Sequence, residues 1–237
     1  MIRTRIAAAA RAAVLAVVGA AAALGLAIGT AQAAPDPPRG ARTLYGDPAA
    51  AAPFWRYQKY DDDCVEMAVA DVVGQVTGHE PSEAAIIRVA QSTPSIVHPG
   101  PVYTRPGKRK SGEGTYFDDE PTLLAHYAIR AVSTDTDSTG VPTGMDALEQ
   151  ALSASRKVIV GVNSEILWGE PVVDKTPDGQ PDSNHAVVVI GIDTAAGVVH
   201  LNDSGSEDGR DEQVPIAVFI RSWATSDNQM TVTTVAR

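Results

Sequence analysis

The chain has a single cysteine, Cys64, in 237 residues. No disulfide can form within it, and a multi-cysteine zinc site is excluded. Aromatic residues are few: three Phe, three Trp and six Tyr, so a core has to be built mainly from Val, Ile, Leu and Ala. Basic residues are outnumbered, 19 against 29 acidic, for a formal charge of −10. No basic stripe stands out, which argues against nucleic acid or an anionic membrane as a partner. What is present is ordinary for a globular protein, 44% hydrophobic and 20% charged residues. That excludes wholesale disorder and collagen-like or coiled-coil architecture.

Arg3, Arg5 and Arg11 accompany the start of an apolar run from about residue 12 to residue 28, which ends in Ala31-Gln32-Ala33. This is the pattern of an export signal with a small-x-small cleavage site. The run is near the lower length limit for a membrane span and is mostly Ala and Gly, so cleavage is expected over permanent anchoring. Thr4 separates Arg3 from Arg5, which favours general secretion over the twin-arginine route. Removing residues 1–33 leaves 204 residues and a charge of −13, a size that suits one domain. The expected location is outside the cell or in its envelope, with no stable membrane anchor. Residues 34–53, rich in Pro and Ala, read as a linker, and residues 54–237 as the folded domain.

The first half of that domain has helical periodicity. Apolar positions from Cys64 to Val76 recur at helical spacing, Asp61, Asp62 and Asp63 precede them, and Gly78 ends the run. Further helices are expected over 81–91 and 120–131, and after the capping-box-like Thr143-Gly144-Met145-Asp146. The stretch from His98 to Gly114, with Lys108, Arg109 and Lys110, reads as an exposed loop. The second half changes period: strands are expected over 157–163, 185–193, 198–203, 214–223 and 230–235. Helices first and an antiparallel sheet after make an α+β protein.

Cys64 opens its helix, where backbone N–H groups and the helix dipole favour a thiolate. The three preceding aspartates would oppose that charge if they faced the sulfur, so they are expected to point to solvent. A thiolate hydrolase also needs a base. His79 follows a turn glycine, His98 lies in the long loop, His126 falls mid-helix and His200 alternates within a strand. His185 opens an apolar strand directly after a polar loop, which sets its ring at the rim of the sheet, where a cleft can lie. A third group should orient the imidazole. Asp203 ends the strand returning from His185, but if Asp193 faces Val198 then Asp203 faces Val188, roughly 10 Å from His185 along the strand. A bulge or twist must close that offset, and Asn202 is the alternative orienter. Gln58, six residues before Cys64, can add a side-chain amide to the Cys64 backbone N–H as donors to an oxyanion.

Gln58, five residues, Cys64 at a helix start, then His185 with its apolar strand, then Asp203 eighteen residues later: this order resembles the papain-like bacteriocin-processing peptidases, family 39 of the cysteine peptidases, in their stand-alone 39-like form. The resemblance covers most of residues 54–237. It implies a papain-like fold, peptide hydrolysis on a peptide or protein substrate, and no cofactor or metal. It also implies roles: Cys64 as nucleophile, His185 as general base and acid, Asp203 as orienter and Gln58 as oxyanion donor. The family usually has Gly after the cysteine and Pro after the aspartate; here Val65 and Ser204 stand at those places. Three other readings share these residues: an NlpC-type cell-wall endopeptidase, whose usual Asp-Cys-Ser-Gly is here Asp63-Cys64-Val65-Glu66; an inactive papain-like peptide-binding module; and an amidase or acyltransferase. Asp135, Asp137, Thr139, Gly140 and Asp146 partly match a calcium loop without its bidentate Glu, and read better as a solvated acidic turn.

Overall fold

In the computed structural model, residues 44–106 and 114–234 are described. The chain order is β1 (Leu44–Gly46), α1 (Pro48–Ala51), α2 (Cys64–Thr77), α3 (Glu83–Ser92), α4 (Glu120–His126), β2 (Ala131–Thr134), α5 (Met145–Ser153), β3 (Val158–Val162), α6 (Ser164–Trp168), β4 (His185–Asp193), β5 (Val198–Asn202), β6 (Glu212–Pro215), α7 (Ile216–Trp223) and β7 (Met230–Thr233). Among the described residues, seven strands form one antiparallel sheet in the order β2-β7-β3-β4-β5-β6, with β1 added against the far end of β4. The fold is α+β.

β4 is buried along nearly its whole length because both faces of the sheet are covered. Ala186, Val188 and Ile190 pack with α2, α3 and α4. Val187, Val189 and Ile192 pack with α5, α7 and the inner residues of β5. Each Val so buried contributes about 1.5–3 kcal/mol, which makes this strand the natural anchor for a residue at its end. Strict alternation would put Ile192 with Ile190, and it lies on the other side. The cause is a bulge: Val189 pairs with Leu201 but Gly191 pairs with His200, leaving Ile190 as the extra residue.

That bulge answers the offset between Asp203 and His185. Asp193 does face Val198, but beyond the bulge Val188 faces Asn202. Continued by one residue, the register sets Asp203 opposite Val187, two residues from His185 and on the same face of the sheet. Without the extra residue Asp203 would face Val188 and point to the opposite side.

Several expectations need correction. Part of the stretch read as a linker is structured: β1 pairs with residues 191–193, and Asp47 caps α1. The helix expected over 120–131 ends at His126; Ala128 has φ of 58°, and the chain turns there into β2. Residues 216–223 are helical, not extended, despite their β-branched run. Phe219, Ser222 and Trp223 are buried at helical spacing while Ile220 is 40% exposed. Thr143 does not cap α5. Its hydroxyl donates to the Asn228 carbonyl at 2.5 Å, and the cap position is Gly144. The loop after His98 is not all exposed, since Val102 and Tyr103 are buried. In the acidic turn, Asp135 Oδ1 accepts from the Asp137 N–H and the Ser138 hydroxyl. Among the described residues no group of His, Cys, Asp or Glu is placed to hold a metal ion, and no helix is long and apolar enough to cross a membrane. The expected signal (1–33), the first part of the linker (34–43) and Lys108, Arg109 and Lys110 lie outside the described residues.

Candidate active site

Cys64 is the first residue of α2, partly exposed. The helix starts there because an apolar face from Val65 to Val73 can bury against the sheet, and it stops at Gly78, whose φ of 77° no longer continues an α-helix. Val65, where the resembled family has Gly, is turned into the core, so its bulk stays out of the cleft.

His185, the first residue of β4, is 4% exposed, and Asp203, just past β5, is fully buried. Nε2–H of His185 donates to Asp203 Oδ1 at 2.6 Å; the carboxylate can only accept, which fixes the proton on Nε2. The other ring nitrogen, Nδ1, is left free for the thiol of Cys64, which is among the groups that raise the His185 pKa. Burial works against charge on the ring. The Asp203 charge and its hydrogen bond, then Cys64, outweigh that and push His185 up to about 10. Burial would likewise lift the Asp203 carboxyl. The His185 charge, then hydrogen bonds from His185, Trp168 and Gly205, hold it below the usual carboxylate range.

Asp203 is thus held from three directions. Trp168 Nε1–H donates to Oδ2 at 2.9 Å, and the Gly205 N–H donates to Oδ1 at 2.8 Å. The Trp55 indole N–H reaches the Asp203 carbonyl. The Trp168 ring lies 5.6 Å from the imidazole, centroid to centroid, covering it from solvent. Gly205 passes so close that a Cβ there would sit 2.9 Å from His185 Cε1. Asn202, the alternative orienter, is elsewhere: its Nδ2 donates to Asp71 Oδ2 at 2.7 Å and to the Ala51 carbonyl at 3.1 Å. It ties β5 to α2 and α1.

Gln58 is brought to the same cleft. Its backbone N–H donates to the Ser204 carbonyl at 2.9 Å, the Ser204 hydroxyl donates to its Oε1 at 2.8 Å, and its Nε2 donates to the Tyr60 carbonyl at 2.7 Å. That carbonyl only accepts, so it fixes which end of the amide carries the hydrogens, and one N–H is left over. A proline at position 204 would lack the hydroxyl that makes the second of these bonds.

Two cavities meet at these residues. One of about 390 Å³ is bordered by Asp61, Cys64, Thr115, Phe117 and Asn184. The other, of about 700 Å³, is bordered by Gln58, Asp61, Trp168, Asn184, His185 and Gly205. Asp61 and Asn184 border both, so the two cavities adjoin, one at the sulfur and the other at the imidazole.

The aspartates before Cys64 do not all point to solvent. Asp61 is exposed, but Asp62 and Asp63 are buried. Asp62 accepts from the Tyr103 hydroxyl at 3.0 Å. Burial, then the Glu83 charge, push Asp63 up to about 8, so at neutral pH it is a neutral acid and does not oppose a thiolate. Of the remaining histidines, His79 and His126 are exposed, His200 pairs with Asp211 at 2.6 Å, and His98 has its ring centroid 5.4 Å from that of Tyr116. Sequence reasoning missed Trp168, Gly205 and Glu83. A tryptophan closing a five-residue helix just before the loop to His185, and a glycine two residues after Asp203, are the signals that could have drawn the eye to the first two.

The sequence model of the Peptidase C39-like family matches residues 64–231, a span that includes Cys64, His185 and Asp203 and leaves out Gln58. Uncharacterized proteins of Mycobacterium tuberculosis and Mycobacterium bovis are each 56% identical over 240 residues, covering 99% of this chain and 100% of theirs. Among solved structures, one described as a C39-like peptidase from Bacillus anthracis has a TM-score of 0.56 at 19% identity, over 82% of this chain and 98% of that one. A double glycine motif protease from an AMS/PCAT transporter, in complex with the leader peptide, has a TM-score of 0.45 at 15% identity, over 75% and 88% of the two chains.

Proposed function

The chain belongs to the Peptidase C39-like family, and on that premise we propose that it is an exported cysteine peptidase working through Cys64, His185, Asp203 and Gln58. The observation that carries the reading is the imidazole of His185, hydrogen-bonded through Nε2 to a buried carboxylate, with the only thiol of the chain among the groups that raise its pKa. In this reading the Cys64 thiolate attacks the carbonyl carbon of a peptide bond. The spare Gln58 N–H and the Cys64 backbone N–H receive the oxyanion. Nδ1–H of His185 gives its proton to the departing amine as the C–N bond breaks, leaving a thioester. Water then attacks the thioester, His185 takes its proton, and the thiolate leaves as the carboxylic acid forms. Asp203 keeps the ring oriented and favours its charged form throughout.

The test is hydrolysis of unmodified polypeptides and of peptidoglycan stem peptides by the mature chain and by Cys64→Ala. We expect the variant to lose hydrolysis by a factor on the order of 10³ or more with its circular dichroism unchanged. Full activity in Cys64→Ala ends the proposal. His185→Ala should also slow iodoacetamide labelling of Cys64 at neutral pH. Export through residues 1–33 is tested by the N-terminus of the protein recovered outside the cytoplasm, expected at Ala34.

A further inference from the structure

Three acids in a row precede the sulfur, and the mechanism above uses none of them. Asp63, the residue directly before Cys64, is fully buried. It occupies the cap position of α2 without capping it: its side chain accepts no helix N–H, and neither carboxyl oxygen has a hydrogen-bond donor among the N–H and O–H groups around it. A lone carboxylate so placed would be heavily penalised. What faces it is another carboxyl, Glu83 from the first turn of α3, also buried. A carboxyl shut off from water, without a donor and beside a second acid, keeps its proton. The remaining neighbours decide which of the two keeps the charge. Glu83 Oε1 accepts the backbone N–H of Lys59 at 2.7 Å, and Oε2 lies 3.0 Å from Lys59 Nζ. The other charged groups facing Asp63 are Asp62 and Glu66, both acids, and the nearby Tyr103 hydroxyl is committed to Asp62. Both Glu83 oxygens are thus committed to Lys59, and Asp63, with no donor of its own, keeps the proton on the side facing Glu83.

We propose that Asp63 and Glu83 are a positioning pair for the oxyanion site. Lys59 follows Gln58 and Asp63 precedes Cys64, so Glu83 grips both ends of the arm that carries the two donors. The inference rests on the cysteine-peptidase reading of Cys64. While that proton is present the arm is closed. When it leaves, two buried carboxylates repel each other and a negative charge appears beside the sulfur.

The test compares the pH dependence of kcat/KM between about pH 6 and about pH 10 for the full chain, Asp63→Asn and Glu83→Gln. The Asn side chain can donate an N–H to Glu83 and cannot ionise, so the alkaline fall should move up by about one unit or more. With Gln at 83 no carboxylate retains the proton on Asp63, so the fall should move down by about half a unit or more. KM should change less than about twofold in both. Limbs that stay in place, or that move in the same direction, overturn the pair. A second readout needs no catalysis. Asp63 is protonated when folded and ionises at the ordinary acid value when unfolded, so it costs stability as pH rises from about 4 to about 8. Asp63→Asn should flatten the fall of Tm over that window. A wild type that hydrolyses nothing, with the Tm slope behaving as stated, sinks the peptidase reading and with it the positioning role, and keeps only the buried proton on Asp63. Normal hydrolysis with limb and slope unmoved sinks the pair alone. Should Asp63→Asn fail to fold, the direction of the limb in Glu83→Gln decides.

Discussion

On the sheet side of the cleft, Asp203 accepts hydrogen bonds from His185, Trp168 and Gly205, and none of its oxygens is left over. On the helix side, Asp63 has no donor for either carboxyl oxygen and Glu66 has one for only one of its two. Both sets of carboxyls are shut off from water. The two sides solve the same problem, a buried acid, in opposite ways. Asp203 is given a cation and donors, so it stays charged and pulls a proton onto His185. Asp63 is given no donor and Glu66 one, so burial lifts both, Asp63 to about 8 and Glu66 to about 7. A charge beside the imidazole and neutrality beside the sulfur are together what a thiolate–imidazolium pair needs.

The largest effect should come from removing the charge on the sheet side. Asp203→Asn keeps the size of the side chain and loses the charge that lifts His185. We expect kcat/KM to fall by a factor on the order of 10²–10⁴. Stability should fall as well, since breaking a buried pair costs about 3–5 kcal/mol. The pH window follows from the two shifts. His185 is raised, so its share is fully present below about pH 6.5 and is lost as pH rises toward its folded value of about 10. Asp203 is lowered, so its share is present above about pH 4 and is lost as pH falls through its folded value. The stability gap between wild type and Asp203→Asn, measured by urea unfolding, should therefore be widest between about pH 4 and about pH 6.5. A gap that grows steadily toward pH 9 would mean that the carboxylate and the imidazole are not coupled.

Of intermediate size is the effect of crowding the imidazole without touching its charge. In Gly205→Ala the added methyl would meet His185 Cε1 at 2.9 Å and Nε2 at 3.1 Å, with the Trp168 ring at 3.1 Å on the other side. Neither ring can step aside freely, because both are hydrogen-bonded to Asp203. Overpacking of this kind costs about 1–3 kcal/mol, and a displaced ring should lower kcat by about 10- to 100-fold. Unchanged kcat and Tm would show that the ring has room to spare, and the comparison between a rigid sheet side and a proton-holding helix side would lose its first half.

How much of this was legible in the chain follows the same division. α2 was readable to the residue because its signals are local: acids before, apolar positions at helical spacing, Gly78 after. β3, β4 and β5 were readable because valine-rich runs between turns have few other uses. What was not legible depends on contacts between distant segments. The bulge at Ile190 leaves no mark in the sequence of β4, yet it decides which face Asp203 is on. Residues 216–223 carry β-branched residues and form a helix because Phe219 and Trp223 find the α5 side of the sheet. Asp62 and Asp63 looked like solvent-facing helix-start acids, and only the approach of α3 and Tyr103 buries them. Cys64, His185, Asp203 and Gln58 could each be nominated by residue type and place. Trp168 and Gly205 were marked only by their places near His185 and Asp203, and Glu83 by nothing, because what they hold exists only once the loops have closed.

The smallest effect should come from an acid on the helix side that grips nothing catalytic. Glu66 is fully buried, and its Oε1 accepts the hydroxyl of Thr115, a residue lining the cleft. Burial pushes it up to about 7, the Thr115 hydrogen bond only partly opposing. A Gln at this position keeps an acceptor for Thr115 and cannot ionise. Because Glu66 holds a proton when folded and ionises near its ordinary value when unfolded, it costs stability as pH rises from about 4 to about 7, on the order of 1–3 kcal/mol over that window. Glu66→Gln should flatten the decline of unfolding free energy with pH there and leave kcat/KM within about threefold of wild type. Equal slopes in the two proteins would mean that Glu66 is charged in the native state. The helix side would then store charge as the sheet side does, and the division of labour across the cleft would fail.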